Sequence, residues 1–564
     1  MRQNVIRVLL LCSGILICIL PLSYIEITSG HEAREGLRLR AMLANGDWFF
    51  PDVLRKPPLY YWLSGFVAWL RGGVVDALSL RLPSGILAIL NVLLIVHAGQ
   101  RTATRTGAQW AGFILLTAPL YIRQSHSGRT DMTLCFFITT SLLLFFLLIE
   151  HDRRQEQQRS RHVYLFFGML VCAFLAKGPV AVILVAAPLV SFLFWRRDWS
   201  GFRFLLRPEL LCAFGLVVGG WYAFGLWRGG EQFWRTQILE ENVARFTGGI
   251  DRMSPFYYIG PLFGEFAPWS LLLPFALWRA IQERAREPGP FFLALWWLVT
   301  VCFFQLAAYK RARYLLPTLP PAALLVGWWL SSSCQTAGAR IHVSLWEKLR
   351  QITPSVIASL LVLTGTLALY QTQSLDPLVH HILEVAPGRE ARQYATVYGA
   401  WLLTHFWIGL SWLGALTLCL GLGLQFVRSR QHEQAAFSLL CALILLYVAV
   451  YPSWLIVTSR AASPHAYTQA LLEKLRDAQK IAFVEPYDEK GAPVLFALQT
   501  QLPTLQEVQW PWGVPQPLLS SGYYLVTESR KKELVSDAGG TWTEVLNDDG
   551  DTKWPVTLFF YSAP

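Results

Sequence analysis

The chain has 564 residues, of which 54% are hydrophobic and only 15% charged. A soluble protein carries about one quarter charged residues, so an ordinary multidomain soluble protein is excluded. The formal net charge of +11 does not indicate nucleic acid as a partner, because the basic residues sit in loops between apolar blocks, where orientation in a membrane places them.

The blocks have the length, about 20 residues, that crosses a hydrocarbon core of about 30 Å. The first, 5–24, follows Arg2 and Arg7 and ends in PLSYIEITSG without a small-x-small cleavage site, which predicts a retained helix rather than a signal peptide. Further blocks follow at 79–99, 107–122, 131–149, 162–176, 178–195, 209–227, 257–279, 290–308, 313–330, 352–371, 399–427 and 435–457. About thirteen spans are thus predicted. Around Lys177-Gly178-Pro179 two short spans joined by a tight turn fit the charges better than one kinked helix.

Placing the N-terminus in the cytoplasm puts every strongly basic short loop there. These are Arg101 and Arg105; Arg153, Arg154, Arg159 and Arg161; Arg196, Arg197, Arg203 and Arg207; Arg284 and Arg286; and Arg428 and Arg430. The rule is satisfied, and an odd number of spans leaves the C-terminus outside. The predicted architecture is a polytopic α-helical membrane protein, 1–461, followed by a small soluble external α/β domain, 462–564. Two external loops are expected, 25–78 and 228–256. The first contains LYYWLSGFVAWL at 59–70, too short to span and read as an interfacial helix. In the tail, 466–479 reads as a helix and 481–485, 523–529, 542–546 and 556–562 as strands.

Nine cysteines are scattered, nearly all within apolar blocks and without any CxxC spacing, so neither a zinc site nor a disulfide framework is indicated. No cofactor and no metal requirement are expected.

Several ionisable residues fall on the external side against the orientation trend: His31, Glu32 and Arg34; Arg55 and Lys56; Arg123, Arg129 and Asp131; Lys177; and Lys310, Arg311 and Arg313. Ionisable groups at membrane depth or its edge are candidate functional residues, and clustered Lys and Arg suit a phosphate. Each also has a plain reading. Ser29-x-x-Glu32 is a capping box, Asp131 opens a helix, Lys177 can snorkel, and 310–313 can be a basic loop.

At these residues the sequence resembles the GT-C glycosyltransferases of the aminoarabinose (lipid A) transferase and protein O-mannosyltransferase group. The fragments that carry the resemblance are HEAREGLRLRAMLANGDWFFPDVLRKPPLYYWLSG from residue 31, LRLPS at 80–84, GRTDM at 128–132, LAKGP at 175–179, EENVARF at 240–246, YYIGPLFGEFAPW at 257–269 and YKRARYLLPTLPP at 309–321. The resemblance runs from about residue 25 to 330, and loosely to the tail. It implies an inner-membrane enzyme of the bacterial cell envelope that moves a monosaccharide from a polyprenyl-phosphate donor to a periplasmic acceptor, such as 4-amino-4-deoxy-arabinose to lipid A, or to protein hydroxyls or another glycan. It further implies that Lys56, Lys177, Lys310, Arg311, Arg313, Arg34 and Arg129 bind the donor phosphate, with His31, Glu32 and Asp131 at the reacting centre.

The chain departs from the family where His31 stands for an aspartate and Arg55 for a glutamate. A neutral imidazole can accept a proton near pH 7, whereas a phosphate acceptor needs no base. A lipid-linked-sugar transporter or flippase is the rival from another class. Such proteins usually carry internal repeats and midplane polar sites, and neither is seen here.

Overall fold

The computed structural model describes residues 2–49, 56–150, 156–198, 202, 206–247, 253–336, 465–475, 481–484, 491–498, 505–508, 522–527, 541–546 and 556–562. The expected spans at 352–371, 399–427 and 435–457, and Arg55, lie outside the described residues. Among the described residues, five helices are long and apolar enough to cross a membrane: Ile6–Ser23, Ala77–Arg101, Thr130–Glu150, Pro208–Ala244 and Pro288–Leu306.

The chain opens with α1 (Arg2–Cys18) and a 3-10 turn, then α2 (Gly30–Asn45) and α3 (Leu59–Leu70). Helix α4 (Ala77–Ala98) starts where the Asp76 carboxylate accepts from the Ser79 backbone N–H at 2.9 Å, which satisfies an otherwise orphaned helix donor. α7 (Thr130–Glu150) is apolar nearly all round and buried. Three of its hydroxyls are satisfied within the helix, since Thr139, Thr140 and Ser141 each donate to the carbonyl four residues earlier at 2.8 Å. That is how polar side chains survive in apolar surroundings.

The block at 107–122 is not one helix. It divides into α5 (Arg105–Leu116) and α6 (Pro119–Ser125). Pro119 has no N–H and disfavours a helical residue before it, and Ala118 is accordingly extended at φ −80°, ψ 124°. The block at 257–279 is broken in the same way. It forms Ile259–Gly264, a 3-10 turn Trp269–Leu271 and α11 (Leu273–Gln282), with Pro268 and Pro274 between and at the starts. The stretch expected as the loop 228–256 is helical in its first part: α10 (Pro208–Phe233) is kinked at Gly230, with φ 50° and ψ −134°, and a π-helical stretch, Trp234–Ala244, follows.

At 177–179 the expected pair of helices is present. α8 (Glu156–Lys177) ends and α9 (Val180–Arg196) begins across Gly178, whose φ of 79° is open to glycine but costly to other residues. α12 (Pro288–Leu306) and α13 (Leu319–Thr336) close the described helical part. There α13 touches α5 backbone to backbone, and a Cβ on Gly327 would lie 2.2 Å from the Gly107 carbonyl oxygen. In lipid, where apolar surface gains nothing by leaving the tails, such close packing of small residues is a main source of helix association.

Near the C-terminus lie α14 (His465–Lys474), α15 (Gly491–Leu498) and strands β1 (Ile481–Val484), β2 (Leu505–Val508), β3 (Gly522–Thr527), β4 (Thr541–Leu546) and β5 (Val556–Ser562). The sheet order is β2-β1-β3-β5-β4, with β1 parallel to both neighbours and the β3–β5 and β5–β4 pairs antiparallel. β2 and α15 were not expected: LQEV is short, and GAPVLFAL is an apolar run whose period does not separate helix from strand. α15 packs on α2. The Arg40 guanidinium lies 3.8 Å from the centre of the Phe496 ring and donates to the Phe496 carbonyl at 2.8 Å.

Candidate functional site

One pocket gathers the ends of several helices. The first turns of α2 bring His31 and Glu35, four residues apart and hence on one face. Arg129 precedes α7, and Thr130 and Asp131 open it. Lys56, just before α3, and Lys177, the last residue of α8, complete the wall with Arg313 and Tyr314 of the 3-10 segment Ala312–Thr318. The pocket is small and opens to the surface.

Its charges are paired in two groups. The Glu35 carboxylate accepts from Lys56 Nζ at 2.8 Å and Arg38 Nη1 at 3.1 Å, and from the Tyr61 hydroxyl. Burial alone would raise its pKa, but Lys56 and Arg38 outweigh that and hold it well below the usual carboxylate range. Asp131 accepts from Lys177 Nζ through Oδ1, while Arg313 Nε stands 3.8 Å from Oδ2. Lys177 Nζ also lies 4.8 Å from the centre of the Tyr314 ring, within the range of cation–π attraction. Four lining cations (Lys56, Arg129, Lys177, Arg313) against two carboxylates (Glu35, Asp131) leave an excess of two positive charges.

His31 is set by its neighbour. Arg34 Nη2 lies 2.6 Å from His31 Nδ1. A guanidinium has donors only, so Nδ1 is the acceptor and the neutral ring carries its proton on Nε2. Burial first, then Arg129, Arg34, Arg313 and Lys56, push the ring pKa down to about 3. The imidazole is neutral at pH 7.

Glu32 is placed differently. Its oxygens accept from Arg81 Nε at 2.7 Å and Nη2 at 2.8 Å, and Oε1 also accepts from the Gly128 N–H at 2.7 Å. Arg81 further donates to the carbonyls of Ile25 and, at 3.1 Å, Glu26. The capping box is not formed: Ser29 sits at the N-cap without a side-chain cap bond and accepts from Arg129 Nη2 at 2.7 Å.

Of the ten candidates, the pocket brings together His31, Asp131, Lys56, Lys177, Arg313 and Arg129. Arg34 stands behind His31. Lys310 is buried with Nζ on the Ala307 carbonyl at 2.6 Å, and Arg311 donates to the Tyr309 hydroxyl at 2.8 Å. These three and Glu32 do not line it. Glu35, Arg38, Tyr61 and Arg81 were missed. The i, i+4 spacing of His31 and Glu35 was available as a signal, as was an arginine inside an apolar block. Among the described residues, no three His, Cys, Asp or Glu side chains group as metal ligands.

Comparison with known proteins gives a consistent picture. Residues 55–219 match the family model of dolichyl-phosphate-mannose-protein mannosyltransferase. The undecaprenyl phosphate-alpha-4-amino-4-deoxy-L-arabinose arabinosyl transferase of Pseudomonas aeruginosa is 30% identical over 344 residues, 58% of this chain and 59% of that protein. Its namesake from Erwinia tasmaniensis is 26% identical over 317 residues, 55% and 56% of the two chains. An uncharacterized protein of Aquifex aeolicus is 30% identical over 323 residues, covering 54% of this chain and 69% of its own length. The chain therefore aligns with somewhat more than half the length of the two arabinosyl transferases. In fold, the crystal structure of ArnT from Cupriavidus metallidurans bound to undecaprenyl phosphate superposes with a TM-score of 0.68 at 17% identity, covering 98% of this chain and 97% of that one.

Proposed function

The chain belongs to the GT-C family of aminoarabinose-transferase-like and mannosyltransferase-like membrane proteins, and from that premise we propose that it transfers a monosaccharide from a polyprenyl-phosphate carrier to an acceptor at the outer face of the inner membrane. The observation that carries this reading is the excess of two positive charges in a pocket at the ends of membrane helices. An acceptor oxygen attacks the anomeric carbon, the bond from that carbon to the carrier oxygen breaks, and its electron pair leaves with the phosphate. The carrier changes from a singly charged diester to a monoester bearing close to two negative charges. Fixed cations stabilise charge that grows in the transition state more than the charge already present. We assign that task to Lys56, Lys177, Arg313 and Arg129.

The acceptor follows from the proton chemistry. Both oxygens of Glu35 and of Asp131 face cations, and His31 Nδ1 is taken by Arg34. A pocket so short of proton acceptors suits a nucleophile that arrives as an anion. The reading favoured here is therefore 4-amino-4-deoxy-arabinose passed to a phosphate of lipid A. In this reading residues 1–461 form the membrane enzyme and 462–564 an external unit.

The test is transfer in proteoliposomes, with a polyprenyl-phosphate-linked aminoarabinose as donor and lipid A or a serine-bearing peptide as acceptor, followed by mass spectrometry. Lipid A should gain the sugar and the peptide should not. Transfer to the peptide alone would move the acceptor to protein, and failure with every lipid-phosphate sugar would sink the transferase. In the same assay His31→Ala should cost no more than about tenfold, the worth of one hydrogen bond. Turnover should show no limb near pH 6.5 that depends on His31, because the ring with a pKa of about 3 stays neutral well below that pH. A limb abolished by His31→Ala would instead make His31 the base and point to a hydroxyl acceptor.

Orientation is tested separately. Single cysteines introduced after residue 462 should react with an impermeant thiol reagent added outside intact spheroplasts. Reaction only after lysis would place the tail, and the pocket beside it, in the cytoplasm.

A further inference from the structure

The pocket contains hydrogen-bonding capacity that its ion pairs do not use. Thr130 is fully buried and lines it, yet its Oγ1 has no hydrogen-bond partner. Buried hydroxyls without partners are uncommon in native structures, and each calls for a reason. Arg129, beside it, is in the same condition: Nη2 is spent on Ser29 Oγ at 2.7 Å, while Nε is buried and unpartnered.

Both residues lie at the start of α7, a 21-residue helix. The first N–H groups of a helix have no partner within it, and the helix dipole favours an anion there. Asp131 in the same turn does not cancel this, because its carboxylate is held by Lys177 and Arg313. A second helix start converges on the pocket, since His31 belongs to the first turn of α2, and Ser29 at its N-cap turns its hydroxyl to Arg129.

We infer that the first turn of α7, with the Thr130 hydroxyl and the Arg129 Nε–H, is a phosphate-oxygen subsite distinct from the lysine pair Lys56 and Lys177. This rests on the transferase reading above and adds Thr130 as a substrate-binding residue. The phosphate has two sources in that reaction, the carrier and the acceptor. The chemistry of recognition is the same for both: an N–H and an O–H donating to a charged oxygen.

The experiment uses the full chain in nanodiscs and reads two quantities for Thr130→Val and Thr130→Ser. One is the affinity for undecaprenyl phosphate, and the other the KM for a phosphate-bearing acceptor. Valine keeps the shape and removes the hydroxyl; serine keeps the hydroxyl. One of the two quantities should worsen by about ten- to a hundredfold in Thr130→Val, the usual worth of a hydrogen bond to a charged group, and recover in Thr130→Ser. A change confined to carrier affinity assigns the subsite to the carrier phosphate, and a change confined to KM assigns it to the acceptor. No change in either, or equal losses in both variants, overturns the subsite. Lys56→Ala separates this from the parent reading. If Lys56→Ala abolishes carrier binding while Thr130→Val is silent, only the subsite falls. If Lys56→Ala is also silent, the phosphate pocket itself is wrong.

Discussion

Lys177→Ala should lower turnover by about a hundred- to a thousandfold, the scale seen when one preorganised group facing developing charge is removed. The loss has two parts. In the proposed reaction Lys177 no longer stabilises the leaving phosphate, and the Asp131 carboxylate it had neutralised is left facing Arg313 at 3.8 Å. A buried carboxylate so exposed to the pocket repels the anion. Asp131→Asn placed on top of Lys177→Ala should therefore recover part of the carrier affinity, though not the rate. Steady-state kinetics of the single and double variants check this, with Arg101→Ala, an exposed residue away from the pocket, expected to behave as the parent protein. Near-parental turnover in Lys177→Ala would show that orientation charges had been mistaken for a site.

Arg81→Ala should destabilise the fold by about 3–5 kcal/mol, the usual cost of removing one partner of a buried ion pair. Arg81 is 2% exposed and Glu32 5%, so neither charge has water to fall back on. The same change strips donors from the carbonyls of Ile25 and Glu26, which connect α1 to α2. Thermal unfolding in detergent should show a large drop in melting temperature, with Glu32→Gln milder because the amide oxygen can still accept from Gly128. Activity lost in Arg81→Ala should follow the folded fraction rather than the chemistry. An unchanged melting temperature would mean that the pair contributes nothing net.

The pair also predicts an acid dependence. Burial raises the pKa of Glu32, but Arg81 and the Gly128 N–H outweigh it and the net shift is downward from 4.5. A group with a depressed pKa contributes stability above its unfolded value, and that contribution is lost as pH falls through the folded one. Unfolding should thus ease progressively below about pH 4.5, and the dependence should be weaker in Glu32→Gln, where Glu35, whose carboxyl is likewise held low, still contributes.

Much of this molecule was legible along the chain. The length and apolarity of 79–99, 131–149 and 290–308 specify helices by themselves, because a backbone in lipid must satisfy its own hydrogen bonds. The turn at Gly178 and the N-terminal start of α7 near Asp131 follow from local chemistry, and so does the grouping of Lys56, Lys177 and Arg313 as cations away from the basic loops. Where prolines interrupt a block, as at Pro119 and Pro268, hydropathy averages over the break and hides it.

What only the tertiary structure decided is pairing. Glu32 and Asp131 had the same two readings in the sequence, cap or catalyst. The fold gives Glu32 to Arg81, 49 residues away, and Asp131 to Lys177, 46 residues away. It turns Lys310 and Arg311 toward Ala307 and Tyr309, and brings Glu35 into the pocket instead. It also fixes the proton of His31 through Arg34. Periodicity reports which face of a helix a residue occupies and composition reports its solvent, both local properties. Which charges meet depends on how helices pack across tens of residues of intervening chain, and separation along the sequence carries no information about that distance.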